Sequence, residues 1–423
     1  MGLGKLAATA TAYRLATAAA ADDSLSSTAS SSAEGRRRPL LNEPGGSNYG
    51  AIHRSSSPEA LRWTVAENGV SAPTVDEIDV EGLLEDHGLF IGSYDHLVRL
   101  WAFVPLSTVL ALALLAPIPA LFRTPAPPAP FPFSELLIGA ALWTLAHQLR
   151  PPLYAALASV AAPLPAHILA ALAALTHAAL RSALRVAGVV ALRITGAASV
   201  DNAAFARVWA FALGCAAADA IAGTAQGYAQ LALYSDVLVA RTDARALVAA
   251  WLRGRSASKA RAHARDASST SPAGAELRRP LRVVRQNSAA GARLELEREL
   301  DALVAFKARE ELEELYGMHV VHIPVFVVCL LRVASLFLLL GFTLILAAAY
   351  LASPLAPLAL PHTASVAPFW AIFAAACVLH AALAQVHAPP LLARVGVHVA
   401  AYAALLVGLG AFFAGLAMWD GLS

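Results

Sequence analysis

The chain is poor in cysteine and in charge. It has 3 cysteines in 423 residues, and only 14% of its residues are Asp, Glu, Lys or Arg. Soluble domains carry about 25% charged residues, so the shortage argues against a soluble globular protein. Cys215, Cys329 and Cys377 all lie within apolar stretches, where a thiol packs as a small hydrophobic group. Neither a disulfide framework nor a Cys-x-x-Cys metal site is expected.

Signatures of catalysis and of phosphate binding are missing as well. The sequence contains no G-x-x-x-x-G-K-[ST] loop, no G-x-G-x-x-G, no H-E-x-x-H and no G-x-S-x-G. This leans against an enzyme without deciding the matter. No cofactor and no nucleic-acid partner is expected.

Apolar residues make up 58% of the chain, and the mean hydropathy is +0.60. A helix that crosses a membrane needs about 20 apolar residues. The pattern predicts an all-α, polytopic transmembrane helix bundle of about seven spans, with six to eight open because Arg150-Pro151-Pro152 interrupts the second span. The expected spans are 97–121, 133–149 with 153–162 as a candidate continuation, 166–194, 203–233, 323–351, 366–386 and 393–419.

The composition divides the chain into five parts. A polar stretch that cannot bury enough apolar surface to fold alone predicts a disordered N-terminal tail. The expected parts are a cytosolic tail over 1–92, spans one to four over 93–235, a basic flexible cytosolic loop over 236–290, an amphipathic charged helix over 291–319, and spans five to seven over 320–423.

Charge indicates the orientation. Residues 241–298 hold 13 Lys or Arg and 5 Asp or Glu, and such an excess is typical of a cytosolic loop. With four spans before this loop and three after it, the N-terminus is expected in the cytosol and the C-terminus in a lumen. Arg181, Arg185 and Arg193 then lie toward the non-cytosolic side. Either they line a polar cavity inside the bundle, or the span count before residue 200 is off by one.

Two predicted membrane spans each contain an ionisable side chain that is costly to place in lipid. An ionisable side chain within a span costs about 2.5–3.5 kcal/mol on insertion scales and normally faces the protein interior. Arg332 lies in the fifth span with Ser335 one turn away, and Asp219 lies in the fourth. The spacing places one polar stripe on a single face of the fourth span, made of Cys215, Asp219, Gly223, Gln226 and Gln230. We hypothesise that Asp219 and Arg332 satisfy each other across the bundle.

Other candidate sites carry weaker signals. His319 and His322 stand at the entrance of the fifth span, but a structural zinc site needs three or four ligands, so packing at the interface is the preferred interpretation. Ser57 and Ser288 lie in polar segments and are candidate phosphorylation sites.

These features allow two functions. The first is a transporter or channel-like protein whose intramembrane site is built from Asp219, Gln226, Gln230, Arg332 and Ser335. The second is a non-catalytic membrane organiser or adaptor, in which the loop over 241–317 binds a protein partner or anionic lipid beside the bilayer.

Two stretches carry a resemblance to a known family. The first contains Asp201-Asn-Ala-Ala-Phe205, Val208-Trp209, Gln226-Gly227-Tyr228 and Tyr234. The second runs from Glu314-Leu-Tyr-Gly317 through Pro324, Cys329, Arg332 and Ser335 to Gly341-Phe342-Thr343. Together they resemble a family of fungal multi-pass membrane proteins of unassigned activity. The resemblance implies residence in an internal membrane, such as that of the vacuole.

Overall fold

A computed structural model describes residues 80–85, 87–122, 131–161, 164–196, 198–253, 289–357, 365–389 and 391–422. Ser57, Ser288 and most of the predicted tail lie outside these ranges. The chain divides into two compact units. The described part of the larger unit comes from Tyr94–Ser235 and Asn287–Ser423, and that of the smaller unit from 80–93 and 236–253.

Helices dominate the described residues. The elements in chain order are α1 Val80–Glu85, β1 Phe90–Ile91, α2 Tyr94–Trp101, α3 Phe103–Leu115, α4 Ile118–Leu121, α5 Phe133–Val160, α6 Ala166–Ala191, α7 Ala203–Ala232, β2 Leu238–Val239, α8 Ala289–Tyr316, a 3₁₀ turn Val320–His322, α9 Val325–Leu351, α10 Ala367–Val386, α11 Leu391–Val395 and α12 Val397–Ala417. A further helical stretch covers 241–253.

Six segments are long and apolar enough to cross a membrane. They are Tyr94–Leu121, which joins α2 to α4, and the segments His167–Ala191, Ala203–Ala232, Val325–Leu351, Ala367–Val386 and Val397–Ala417. The predicted all-α membrane bundle is confirmed at this level. These six segments define the chain as an α-helical integral membrane protein.

Contacts along α7 give the directions of its neighbours. Near the start of α7, the Phe205 ring lies 6.1 Å from that of Phe122, at the end of the first segment. Near its end, Gly227 lies against the ring of Trp101, at the beginning of that segment. The first segment therefore runs antiparallel to α7. We call the end of the bundle that holds Phe122 and Phe205 the turn end, and the end that holds Trp101 and Gly227 the loop end.

Helix α5 has 28 residues and is more polar than the six segments, because it contains Glu135, Arg150 and two prolines. It nevertheless runs along the bundle in the same direction as α7. Glu135 pairs with Arg207 at the turn end, with 2.6 Å between Oε1 and Nε. Further along, Gly139 lies against the backbone of Phe211 and Cys215. The helix continues through Pro151 and Pro152, so the break considered for the second span does not occur.

Short polar and rigid residues define the helix ends. Asn202 caps α7 by accepting a hydrogen bond from the Ala204 N–H at 3.1 Å. Pro324 stands immediately before α9 in an extended conformation, where the missing N–H costs nothing. Gly317 follows α8 with φ of +69°, a left-handed conformation that ends a helix at low cost when the residue is glycine.

Aromatic residues form the core of the turn end. Trp209 and Trp419 are fully buried, and each indole N–H donates to a backbone carbonyl at 3.1 Å, that of Leu115 and that of Leu344 respectively. A buried indole needs such an acceptor. These two bonds tie α7 to α3, and the chain after α12 to α9.

The smaller unit corrects two predicted boundaries. Residues 80–92 were expected in the disordered tail and 236–253 in the flexible loop. Instead, Phe90 and Ile91 pair in parallel with Leu238 and Val239. Leu84, Ala244 and Val248 form a small buried core beside this pairing. Apolar residues along 241–253 bury one side of that helical stretch. The expectation of a flexible loop was based on the excess of basic residues, which does not reveal this apolar side.

Candidate functional site

The site lies where α5, α6 and α7 meet, and glycines bring two of these helices close together. A Cβ atom at Gly139 would meet the carbonyl group of Phe211, and one at Gly214 would meet that of Leu136. Only residues without a side chain permit this approach. It places the side chains on both helices within reach of α6.

Asp219 pairs with Arg181. The distance between Arg181 Nη2 and Asp219 Oδ1 is 3.9 Å, and both side chains are less than one-fifth exposed. Arg181 also lies over the ring of Trp143, with Cζ 5.8 Å from the ring centroid. A guanidinium in this setting gains both Coulombic and cation–π stabilisation.

Arg185 lies one turn further along α6 and is 4% exposed. Neither Nη1 nor Nη2 has a hydrogen-bond partner within the described chain. Native proteins rarely leave buried polar groups in this state, because each unmade bond costs about 1–3 kcal/mol and more for a charged group. Arg185 is therefore the least satisfied cation among the described residues of this cluster.

A cavity of about 10 Å³ adjoins Arg185, which is room for about one water molecule. Trp143 also lines it, and the indole Nε1 is buried without a partner among the described residues. The walls are Leu142, Trp143, Ala146, Arg181, Leu184, Arg185, Phe211 and Cys215. Cys215 donates its thiol hydrogen to the Gly139 carbonyl at 3.2 Å, so the cavity is rich in donors and poor in acceptors.

Two histidines border the arginines. His380 on α10 lies next to Arg181, with 3.3 Å between its Nε2 and Arg181 Nη1. Since a guanidinium can only donate, His380 accepts at Nε2 and is neutral with its proton on Nδ1. That Nδ1 is buried and has no partner in the described residues. His177 Nε2 lies 3.1 Å from the Ala146 carbonyl and joins α6 to α5.

The structure does not support the predicted pairing of Asp219 with Arg332. Arg332 lies against Gly223, one turn further along α7 than Asp219, and no ion pair joins these two described side chains. The Arg332 Nε is buried and has no hydrogen-bond partner in the part of the chain that the structure describes. Ser335 donates to the Arg332 carbonyl at 2.8 Å, a bond within α9 that leaves the guanidinium unaffected.

The rest of the predicted stripe falls outside the arginine cluster. Gln226 is exposed. Gln230 accepts a hydrogen bond from the Tyr316 hydroxyl at 3.4 Å, which attaches the end of α8 to α7. The five residues predicted as one site therefore do not lie together: Asp219 belongs to the arginine cluster, Gln226 and Gln230 lie further along α7, and Arg332 and Ser335 lie on α9.

The end of α8 is held at the loop end by polar contacts. The Tyr234 hydroxyl donates to Glu313 at 3.0 Å, and Arg309 donates to the Leu233 carbonyl at 3.3 Å. Burial, together with the nearby Glu313 carboxylate, raises the pKa of Tyr234 above its usual range. Burial likewise raises the pKa of Tyr316.

His319 and His322 belong to this region. His319 Nδ1 lies 2.8 Å from the Glu313 carboxylate, and the two imidazole rings are 5.6 Å apart. When the imidazole is protonated, this contact joins the turn before α9 to the end of α8.

The sequence contains a signal for the arginine cluster, but the predicted partner of Asp219 was Arg332 and not Arg181. Arg181 and Arg185 conflicted with the expected orientation, and a polar cavity inside the bundle was one of the two explanations. Their spacing of four residues on an otherwise apolar helix indicates one shared face. The missing information was the partner helix, because periodicity does not reveal which helices are neighbours.

No family model, no curated protein and no solved structure matches this chain.

Proposed function

We propose that this protein is a transporter or channel-like protein that moves a charged solute through the polar cluster formed by Arg181, Arg185, Asp219 and His380. The observation that carries the proposal is Arg185, a buried guanidinium with two unpartnered nitrogens beside a cavity. Ionisable groups within spans are costly and mark solute pathways or ion relays. A purely structural arginine would have its donors satisfied by the surrounding helices.

We further propose seven crossings, with α5 as the second. The chain is at the turn end after Phe122. Helix α6 ends at the turn end, where the Leu192 carbonyl accepts from Arg207 at 2.8 Å, and its middle contacts the middle of α5 through His177 and Ala146. The start of α6 therefore lies toward the loop end. Helix α5 makes the connection between the two ends. Glu135 is tolerated because it is paired with Arg207. Arg150 is exposed and lies in the second half of the helix, toward the loop end, where a long arginine side chain reaches the membrane surface.

The orientation and the compartment belong to the same proposal. The basic segment 241–298 supports a cytosolic loop end. A cytosolic N-terminus and a lumenal C-terminus follow from seven crossings. The likeness to fungal multi-pass proteins supports an internal membrane such as that of the vacuole.

The transport proposal is tested with the purified full chain in liposomes on a solid-supported membrane. Rapid exchange of proton, alkali-cation, halide and nitrate solutions is expected to give a current with the native protein for at least one of these ions. Arg181→Gln is expected to abolish that current. Arg193→Gln removes an exposed arginine outside the cluster and serves as the matched control with native currents. Currents equal to those of protein-free liposomes, or unchanged by Arg181→Gln, contradict the proposal.

A second candidate function is supported by α8. Leu300, Leu303 and Phe306 are 58%, 64% and 56% exposed, although the same helix is attached to the bundle through residues 309–316. An exposed apolar surface on a charged helix is typical of a docking site for another protein. The protein would then act as a membrane organiser or adaptor.

This alternative is tested by purification of the full chain from its native membrane in mild detergent. A stoichiometric second polypeptide is expected with the native chain and is expected to be lost with Leu303→Glu. Lys307→Glu introduces the same residue at a neighbouring exposed position and is expected to retain the partner. Purification of the native chain alone contradicts the adaptor function.

A further inference from the structure

We propose that the cavity between Arg185 and Trp143 binds one monovalent anion of about the size of a halide ion. The inference deepens the proposed function, because it rests on the arginine cluster being the polar site of the bundle and gives the class of its ligand. Three observations support it: the direction of the hydrogen-bond groups, the balance of charge, and the size of the cavity.

The hydrogen-bond groups around the cavity are donors without acceptors. Arg185 Nη1, Arg185 Nη2 and Trp143 Nε1 are all buried and unpartnered in the described part of the chain, and both residues line the cavity. A guanidinium and an indole N–H can only donate. Of the other walls, Cys215 uses its thiol hydrogen on Gly139, and the remaining side chains are apolar except Arg181. The complementary ligand is therefore a group that accepts several hydrogen bonds at once.

The described side chains around the cavity carry one more positive charge than negative charge. Arg181 and Arg185 bring two positive charges, and among the described residues Asp219 is the carboxylate that acts on both. The distance of 3.9 Å assigns Asp219 to Arg181. Glu135 is paired with Arg207, His380 is neutral because it accepts from Arg181, and the thiols of Cys215 and Cys377 are free and buried and therefore pack as neutral groups. An uncompensated buried charge is strongly unfavourable, and one negative charge beside Arg185 removes it.

The cavity limits the size of the anion. Its volume of about 10 Å³ holds roughly one water-sized particle. A phosphate group, a lipid headgroup or an organic carboxylate is several times larger than this space, whereas a halide ion is only slightly larger than the water molecule that it would replace. A water molecule fits and accepts hydrogen bonds, but it supplies no charge.

The test is the thermal stability of the purified full chain in detergent, titrated with sodium bromide against sodium gluconate at constant ionic strength. Bromide is expected to raise the melting temperature saturably, whereas gluconate, which is too large for the cavity, is not. Since a hydrogen bond to a charged partner changes affinity by roughly tenfold or more, Arg185→Gln is expected to raise the half-saturating bromide concentration at least about tenfold. Trp143→Phe keeps a ring of similar shape and is expected to raise it by a smaller factor.

The matched control is Trp370→Phe, which makes the same exchange at a residue 54% exposed on the outside of α10, and which is expected to leave the bromide response unchanged. If Arg185→Gln does not fold, the comparison of Trp143→Phe with Trp370→Phe decides the question. Identical melting curves in bromide and gluconate mean that the cavity holds water only and overturn the proposal. A bromide response unaffected by Trp143→Phe places the ion elsewhere and also overturns it.

The same measurements separate this inference from transport. If the protein gives currents in liposomes but bromide does not raise its melting temperature, the transport proposal is supported and the anion site is overturned. If bromide stabilises the protein in a way that depends on Trp143, but no tested ion gives a current, the anion is a fixed counter-ion of Arg185. That result supports the anion site and overturns the transport proposal.

Discussion

Arg181 holds Asp219 across the contact between α6 and α7, with 3.9 Å between the guanidinium and carboxylate atoms. Arg181 therefore compensates the charge of Asp219, the single acid of α7. The pair also leaves Arg185 and Arg332 as cations for which Asp219 is not available. The energetic consequences of that choice can be measured.

The pair is expected to behave as a coupled unit in a double-mutant cycle. Removal of one partner of a buried ion pair leaves the other uncompensated and costs about 3–5 kcal/mol, whereas neutralising both partners costs less. Arg181→Met and Asp219→Asn are therefore each expected to lower the melting temperature in detergent, and the double variant to recover part of the loss.

The control cycle uses Arg332→Met with Asp219→Asn. Since Arg332 lies against Gly223 and makes no ion pair with Asp219, these two effects are expected to add without recovery. Recovery with Arg332 and additivity with Arg181 would instead restore the pairing inferred from the sequence.

The glycine contact between α5 and α7 is expected to tolerate no side chain. Gly139→Ala places a methyl group against the Phe211 carbonyl and is expected to destabilise the protein by about 1–3 kcal/mol or more, because neither backbone can move without separating the helices. Gly410→Ala is the matched control, since a Cβ there meets nothing within 4 Å and alanine favours a helix. Equal melting temperatures for the two variants would contradict the close approach of the helices.

If the chain crosses the membrane seven times, the turn before α6 lies on the same side of the membrane as the N-terminus. In a chain whose native cysteines are replaced by alanine, single cysteines at Leu164 and Ser235 are expected to react with an impermeant maleimide from the same side as an N-terminal tag. A cysteine at Asp201 is expected to react from the opposite side. If α5 does not cross, Leu164 is labelled from the side opposite the tag.

The attachment of α8 is expected to weaken at high pH. Tyr234 is fully buried and donates to Glu313, and its pKa is raised in the folded state. A phenol whose folded-state pKa lies above the unfolded value of about 10 stabilises the fold fully below that pH. The stabilisation is lost as the pH rises from the unfolded value through the folded one. A spin label at Lys307 is therefore expected to become mobile above about pH 10 in the native chain.

Tyr234→Phe provides the comparison. Without the donor, attachment is expected to be weaker by about 1 kcal/mol at neutral pH, and the label is expected to respond less to pH because this group no longer titrates. Identical pH profiles for the two proteins would show that Tyr234 does not hold α8.

The sequence by itself determined the class of protein and the approximate bounds of its most apolar helices. Apolar stretches of about 20 residues can only form helices in a membrane, because each backbone polar group must be satisfied within its own segment. Asn202 and Pro324 define the starts of α7 and α9 through local chemistry that needs no distant contact. The prediction of polar groups inside the bundle likewise followed from the cost of burying a charge.

Only the tertiary structure decided which of these groups meet. Helical periodicity shows which residues share a face, but not which helix that face contacts, so Asp219 was assigned to Arg332 although the neighbouring cation is Arg181. Helix α5 is too polar to stand out by composition, and its place beside α7 depends on Gly139, Gly214 and the pairing of Glu135 with Arg207. The unsatisfied state of Arg185 is also a tertiary property, since it depends on every helix that surrounds the guanidinium and on none of them alone.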